Sequence, residues 1–93
     1  MDPGSGARYC VVVRGKVQGV WFRDSCRRMA IDQGVAGWVR NRMDGTVEAV
    51  FEGPIEAVAR CVSWCRAGPP RAEVDGIDVR EEPAEGTSGF SIR

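Results

Sequence analysis

From Arg8 to Arg14 the chain reads RYCVVVR, β-branched or apolar at nearly every interior position. Such a run predicts a central strand covered on at least one face. Further on, Phe22, Cys26, Met29 and Ala30 fall at i, i+4, i+7 and i+8. That is one helical stripe, and it predicts a helix over Phe22–Gln33 with Gly34 as its left-handed cap. Val35–Asn41 (VAGWVRN) reads as a second strand. Met43–Thr46 (MDGT) supplies an Asp-Gly turn, and in Val47–Glu52 the residues Val47, Ala49 and Phe51 alternate onto one face of a third strand. The second and third strands therefore form a hairpin.

Gly53 and Pro54 open a second helix, with Pro54 expected at its first position, where the missing N–H costs nothing. Ile55, Val58, Val62 and Cys65 form the expected buried stripe, and Gly68–Pro70 (GPP) stop the helix. Ala72–Arg80 reads as a fourth strand. Its phase slips between Val74 and Ile77, so a bulge is expected near Gly76. Glu81–Gly89 reads as a loop, solvated over Arg80–Glu85, and Phe90–Arg93 as a short last strand.

Two singly striped helices need one sheet face to cover. An α+β, ferredoxin-like βαββαβ two-layer sandwich meets that need, with a mostly antiparallel sheet, two helices on one face and a short extra C-terminal strand. Residues 1–7, with their Pro, Gly and Ser, are expected to be a flexible N-terminal tail, and residues 8–93 a single domain.

Composition narrows the function. The 93 residues are 43% hydrophobic and 28% charged, as in ordinary globular domains. Thirteen basic side chains balance thirteen acidic ones, which gives no support to a general nucleic-acid or membrane-surface role. No window approaches the roughly 20 apolar residues of a membrane span. The opening MDPGSGA has no apolar signal core, so a cytoplasmic location is expected. The cysteines are Cys10, Cys26, Cys61 and Cys65; none forms a CxxC pair, and the chain has no histidine. Structural zinc and CxxC metal-carrier readings are therefore unsupported, and disulfides are not expected. Cys61 and Cys65, at helical spacing, read as small core residues. Tyr9 and Phe51 lie on strands that bind RNA in some sheets of this topology, but the aromatic RNA-binding signature is absent. Arg14, Lys16, Arg40 and Arg42 could line one end of the sheet and steer a small anion.

The candidate chemistry lies in GKVQGVWFR, Gly15 to Arg23. A loop leaving a central strand and entering a helix exposes N–H groups that have no intrahelical partner, at the positive end of the helix dipole. Gly15 and Gly19 can adopt conformations that turn successive N–H groups inward as an anion nest. Arg23, in the first helical turn, can grip two phosphate oxygens in a fork. Two glycines before a helix serve a tight turn equally well, and the triphosphate-binding pattern G-x-x-x-x-G-K-[ST] is absent. Asn41, at the end of the second strand, could serve the turn or orient a water with its amide.

VRGKVQGVWFR and GWVRNRMDGTVEAVFEG together resemble the two signature stretches of the acylphosphatase family. Gly15, Val17, Gln18, Gly19, Val20, Phe22 and Arg23 match the first, and Gly37, Trp38, Asn41, Gly45 and Val47 the second. The closing GFSIR is similar to the family's C-terminal end. The resemblance implies the same βαββαβ sandwich and hydrolysis of acyl phosphates to a carboxylate and inorganic phosphate, with no cofactor and no metal. It implies that Gly15, Lys16, Val17, Gln18, Gly19, Val20 and Arg23 hold the phosphoryl group and that Asn41 positions the attacking water. It further implies a small-molecule substrate, with inorganic phosphate as product and inhibitor; no nucleic-acid or membrane partner is expected from the charge balance, and a free-standing monomeric enzyme is expected over a regulatory domain of a larger one. Such chemistry suits a chain without histidine, because a carboxylate with conjugate-acid pKa of about 4 departs without a general acid. Trp21 fills a variable position of the motif and reads as a packing residue. Trp38 and Trp64 read as partly buried anchors.

Overall fold

A computed structural model describes residues 6–93. The elements run β1 (Gly6–Lys16), α1 (Phe22–Asp32), β2 (Ala36–Asn41), β3 (Val47–Pro54), α2 (Ile55–Cys65), β4 (Glu73–Glu82) and β5 (Phe90–Ile92). The first five residues of the expected tail lie outside the described residues, while Gly6 and Ala7 already belong to β1, paired with Pro54 and Gly53. One sheet has the order β4-β1-β3-β2-β5. All its pairs are antiparallel except β2 with β5, which run parallel from Gly37↔Phe90 to Val39↔Ile92. This is the expected ferredoxin-like sandwich with a short strand added at one edge.

Alternation along β1 and β3 sorts the sheet into two faces. Val11 and Val13 of β1, Val47, Ala49 and Phe51 of β3, and Val39 of β2 form the core with Phe22, Cys26 and Ala30 of α1 and Ala57, Val58, Cys61 and Cys65 of α2. Phe90 brings β5 into the same core, its ring stacked on Phe51 at 5.8 Å. Phe22 meets Trp64 edge to face at 5.2 Å, which joins the two helices. Trp38 and Trp64 are half-buried, as expected.

Helix ends follow local rules. The α1 terminus closes with Gly34 N–H donating to Ile31 O (3.0 Å) and Val35 N–H to Ala30 O (2.9 Å). With Gly34 at φ 71°, this is the Schellman motif the sequence predicts. The α2 start differs from expectation. Pro54 is not the first helical residue but the cap, at φ −57° and ψ 137°, because β3 stays paired with Gly6 to its last residue. Of the expected stripe, Val58 and Cys65 are buried and Val62 partly so, whereas Ile55 is exposed, and Ala57 and Cys61 are in the core instead.

The bulge lies beside the expected glycine. Arg14 pairs with Gly76 but Gly15 with Val74, so Asp75 is the extra residue of β4. Gly15, at φ 123°, crosses β4 so closely that a Cβ would sit 2.2 Å from Glu73 O. No other residue fits there. As an edge strand, β4 is rich in charge, with Glu73, Asp75, Asp78, Arg80, Glu81 and Glu82 along it. It also runs two residues beyond the expected end at Arg80, taking Glu81 and Glu82 from the expected loop.

The opposite sheet face carries a buried ion cluster. Arg8 and Glu52 are nearly inaccessible, at 6% and 7% exposure. The Arg8 guanidinium donates to Glu52 Oε1 at 2.9 Å, Glu82 Oε1 at 3.0 Å and Thr87 Oγ1 at 3.0 Å. Glu52 also accepts N–H bonds from Glu85 (3.1 Å), Gly86 (2.7 Å) and Thr87 (3.3 Å). The loop after β4 thus folds back over the sheet instead of being merely solvated. Burial alone would raise the Glu52 carboxyl, but the backbone N–H of Glu85, the Arg8 guanidinium and the N–H groups of Gly86 and Thr87 hold it below its ordinary value of 4.5. Arg80 and then Arg8 hold Glu82 below its ordinary value too.

All four cysteines are buried free thiols. Burial pushes Cys61 up to about 12, and burial with a hydrogen bond to Glu48 pushes Cys10 up to about 11. Buried thiols of raised pKa are unreactive core residues.

Arg8→Met should cost about 3–5 kcal/mol of stability, the usual loss when one partner of a buried ion pair is removed. Urea unfolding measures it, and a loss below about 1 kcal/mol would show a cluster no stronger than a surface pair. Because the folded carboxyls lie below their unfolded values, their stabilisation is complete above roughly pH 4.5. It should fade as pH falls through the folded values, and more weakly in Arg8→Met.

Candidate active site

β1 ends at Lys16, and the chain then crosses the end of the sheet to α1. The loop proper is therefore Val17–Trp21. Gly15 and Lys16, expected within it, are still laddered to Val74 and Glu73. Val17 and Val20 are buried and anchor the loop, while Gly19 turns it at φ 72°. Gln18 fixes it sideways: its Nε2 donates to Arg42 O at 2.7 Å and Thr46 O at 2.9 Å. Those carbonyls belong to the β2–β3 turn, which closes through Arg42 N–H to Thr46 O (2.8 Å) and Asp44 Oδ1 accepting from Thr46 N–H (3.0 Å). Asn41 immediately precedes this turn, so Gln18 ties the loop to the strand end that carries the amide.

A cavity of about 360 Å³ opens there, lined by Val17, Gly19, Trp21, Phe22, Arg23, Asp24, Asn41 and Ile92. It unites Arg23 and Asn41, which lie 18 positions apart in sequence. Of the expected phosphate-binding residues, Val17, Gly19 and Arg23 line it, whereas Gly15, Lys16, Gln18 and Val20 support it from outside. The N–H groups of Gln18, Gly19, Val20 and Trp21 find no acceptor among the described residues. Those of the first helical turn have none by helix geometry. The first intrahelical bond of α1 is Ser25 N–H to Trp21 O at 3.0 Å. Successive free donors beside a left-handed glycine make a site for an anion.

Arg23 is exposed and has no ion-pair partner among the described residues. Other basic groups at this end are engaged: Arg14 with Asp78 at 3.1 Å, Arg40 with Glu48 at 2.7 Å and Arg42 with Asp44 at 3.7 Å. Of the four expected cations, three are therefore ion-paired, and Lys16 has no ion pair among the described residues. Asp24 is paired along the helix with Arg28 at 3.2 Å.

Sequence reasoning missed four lining residues, Trp21, Phe22, Asp24 and Ile92, of which two are informative. Ile92 reaches the cavity because β5 pairs in parallel with β2, opposite Val39. Trp21 is not the packing residue expected: it is 71% exposed and caps α1 at φ 67° and ψ 22°. A left-handed backbone costs a non-glycine residue about 1–2 kcal/mol. The available signal was an aromatic placed directly before the buried first residue of a helix.

An α+β sandwich that brings a glycine-bearing loop with free N–H groups, an arginine with no ion-pair partner among the described residues and an amide to one cavity suits an enzyme that handles phosphoryl groups. The chain belongs to the acylphosphatase family, whose model matches residues 9–92. It is similar to the acylphosphatase of Rubrobacter xylanophilus, 58% identical over 87 residues that span 92% of this chain and 79% of that protein. It is also similar to that of Pelotomaculum thermopropionicum, at 55% identity over 95% of this chain and 97% of the relative. Among solved structures, an acylphosphatase from Coxiella burnetii superposes with a TM-score of 0.93 at 37% identity, covering 97% of this chain and 95% of that one.

Gln18→Glu should be more damaging than Gln18→Ala. Alanine removes two hydrogen bonds of about 0.5–1.5 kcal/mol each, whereas glutamate sets a carboxylate against two carbonyl oxygens. Thermal unfolding of the pair decides, and equal midpoints would mean the contact does not anchor the loop.

Proposed function

We propose that this chain hydrolyses the carboxyl–phosphate anhydride of acyl phosphates, with the phosphoryl group held by the Gly15–Val20 loop and Arg23 and the water positioned by Asn41. The observation that carries the reading is the loop from Gln18 to Trp21, whose N–H groups have no acceptor among the described residues and of which Gly19 and Trp21 line the cavity together with Arg23 and Asn41. In this reading Val17–Val20 contribute backbone, and Gly15 and Lys16 form the base that aims it. The guanidinium fork takes two phosphoryl oxygens. The Asn41 amide, an acceptor and a donor, orients water on the face away from the leaving group.

The water oxygen bonds to phosphorus while the P–O bond to the acyl group breaks. The bonding pair leaves with the acyl oxygen as carboxylate, and both water protons end on the released phosphate. A loose phosphoryl transition state asks for positioning and for stabilisation of charge on the equatorial oxygens. The fixed dipoles and Arg23 supply both. No general acid is required, because the leaving carboxylate is stable near neutral pH. An alkyl phosphate monoester, whose alkoxide is a far poorer leaving group, would not turn over.

Purified protein should hydrolyse acetyl phosphate, retain that activity in chelator, and be inhibited competitively by inorganic phosphate. Arg23→Ala should lower kcat/KM by about 10²–10³, the typical loss of one preorganised charge-stabilising donor. Arg23→Lys should recover little, since an ammonium lacks the planar fork. Folded Arg23→Ala protein with normal turnover would remove the cavity as the active site.

Asn41→Ala should remove most turnover and leave phosphate affinity nearly intact. Steady-state kinetics and phosphate inhibition constants separate the two quantities. Loss of phosphate affinity at an unchanged maximal rate would assign Asn41 to the phosphoryl group instead of the water.

A further inference from the structure

The phosphoryl reading engages only one wall of the cavity. Val17, Gly19, Arg23 and Asn41 account for the anion and the water, and Asp24 is paired with Arg28, while Trp21, Phe22 and Ile92 add apolar lining with no assigned role. Trp21 is the telling member. Its indole is 71% exposed, and its backbone sits at φ 67°. It is the only non-glycine residue with positive φ among the described residues. Its side chain makes no capping hydrogen bond to the helix it starts, and its ring is in no aromatic pair or cation–π contact among the described residues. Glycine would relieve the backbone there, as it does at Gly19. The chain carries strain and an exposed aromatic surface together, with most of the ring uncovered by the described residues. A ligand face is the remaining use of that surface, and strained outliers concentrate where ligands are held.

We propose that Trp21, with Ile92 in the same cavity lining, forms the acyl-group subsite, and that this chain prefers acyl phosphates whose acyl group is aromatic or branched and apolar over those with a short acyl group. The proposal rests on the acyl-phosphate reading of the cavity. The anhydride joins the phosphoryl group at the loop to an acyl group only one oxygen away. A substrate held by Arg23 must therefore place its acyl carbons within the same cavity, where Trp21 and Ile92 supply apolar surface. An indole face stacks on a planar acyl group, and Ile92, at 42% exposure, offers further apolar contact to it. Bulk at this wall selects the leaving group and leaves phosphoryl chemistry to the loop.

The test compares kcat/KM for benzoyl phosphate and acetyl phosphate in the wild type, Trp21→Gly, Trp21→Phe and Ile92→Ala, alongside thermal unfolding of each. The wild type should favour benzoyl phosphate. Trp21→Gly should cut the benzoyl-to-acetyl ratio about tenfold, the loss of one aromatic stacking contact, while its unfolding midpoint holds or rises because glycine accepts the left-handed backbone. Trp21→Phe should keep most of the ratio, and Ile92→Ala should lower it less than Trp21→Gly does. An unchanged ratio in Trp21→Gly, with acetyl phosphate still hydrolysed, overturns the subsite alone. A fall in midpoint accompanied by equal losses on both substrates assigns Trp21 a structural role and also overturns it. Wild-type protein that hydrolyses neither substrate overturns the functional reading, and this one with it.

Discussion

The crossing of Gly15 over β4 sets the geometry on which the cavity depends. Its backbone lies against Glu73 O at a distance that excludes any Cβ, and β4 accommodates it by inserting Asp75. β1 thereby remains in the ladder as far as Lys16, and the chain leaves the sheet in one defined direction. Val17 and Val20 are then pulled into the core, and the backbone between them is left facing outward. The free N–H groups of the loop are a by-product of this anchoring. Their neighbours on both sides are committed to strand or core, and they meet no acceptor among the described residues. Pre-organisation of this kind requires no rearrangement when an anion arrives.

A second constraint acts from the far side of the sheet. Glu52 lies at the end of β3, where it gathers Arg8 and three N–H groups of the segment after β4. That segment is brought back across the sheet, and the chain enters β5 beside β2 and parallel to it. Phe90 is buried against Phe51, and Arg27 Nε donates to Phe90 O at 3.2 Å. Two residues later Ile92 arrives at the cavity. A buried charge at one end of the molecule is therefore linked, through the return path of the chain, to an apolar wall at the other.

Most of the architecture was legible because it rests on local signals. Hydrophobic period, the Asp-Gly turn and the Gly34 cap each concern a few neighbouring residues, and each appears where expected. Pro54 and Ile55 show the limit of that reasoning. Proline suits both the cap and the first helical position, and the choice was made by Gly6, which holds Pro54 in the sheet from 48 positions away. Val58 and Cys65 stay in the buried stripe, but Ile55, now the first helical residue, is exposed, and Ala57 and Cys61 are buried. Arg8 was equally illegible, since an arginine at the head of a strand reads as solvent-facing until Glu52, 44 positions on, meets it. In the candidate site, Arg23 and Asn41 stood out through the two signature stretches, and the cavity brings them together. Ile92 depends on a parallel pairing that no local pattern encodes. Trp21 was visible as a residue, but its exposure depends on a backbone torsion that the sequence does not display.

The outer edge at β4 also bears on how the molecule meets its own copies. An open strand of ten residues is a template onto which another strand can add, and sheets left this way tend to grow into aggregates. Here the template is spoiled twice. Asp75 bends the strand out of regular register, so a straight partner cannot follow it along its length. Five acidic residues against one basic one also mean that two such edges brought together would repel. The same inserted residue that accommodates Gly15, and so sets the path of the loop into the cavity, makes the sheet a poor seed for fibrils.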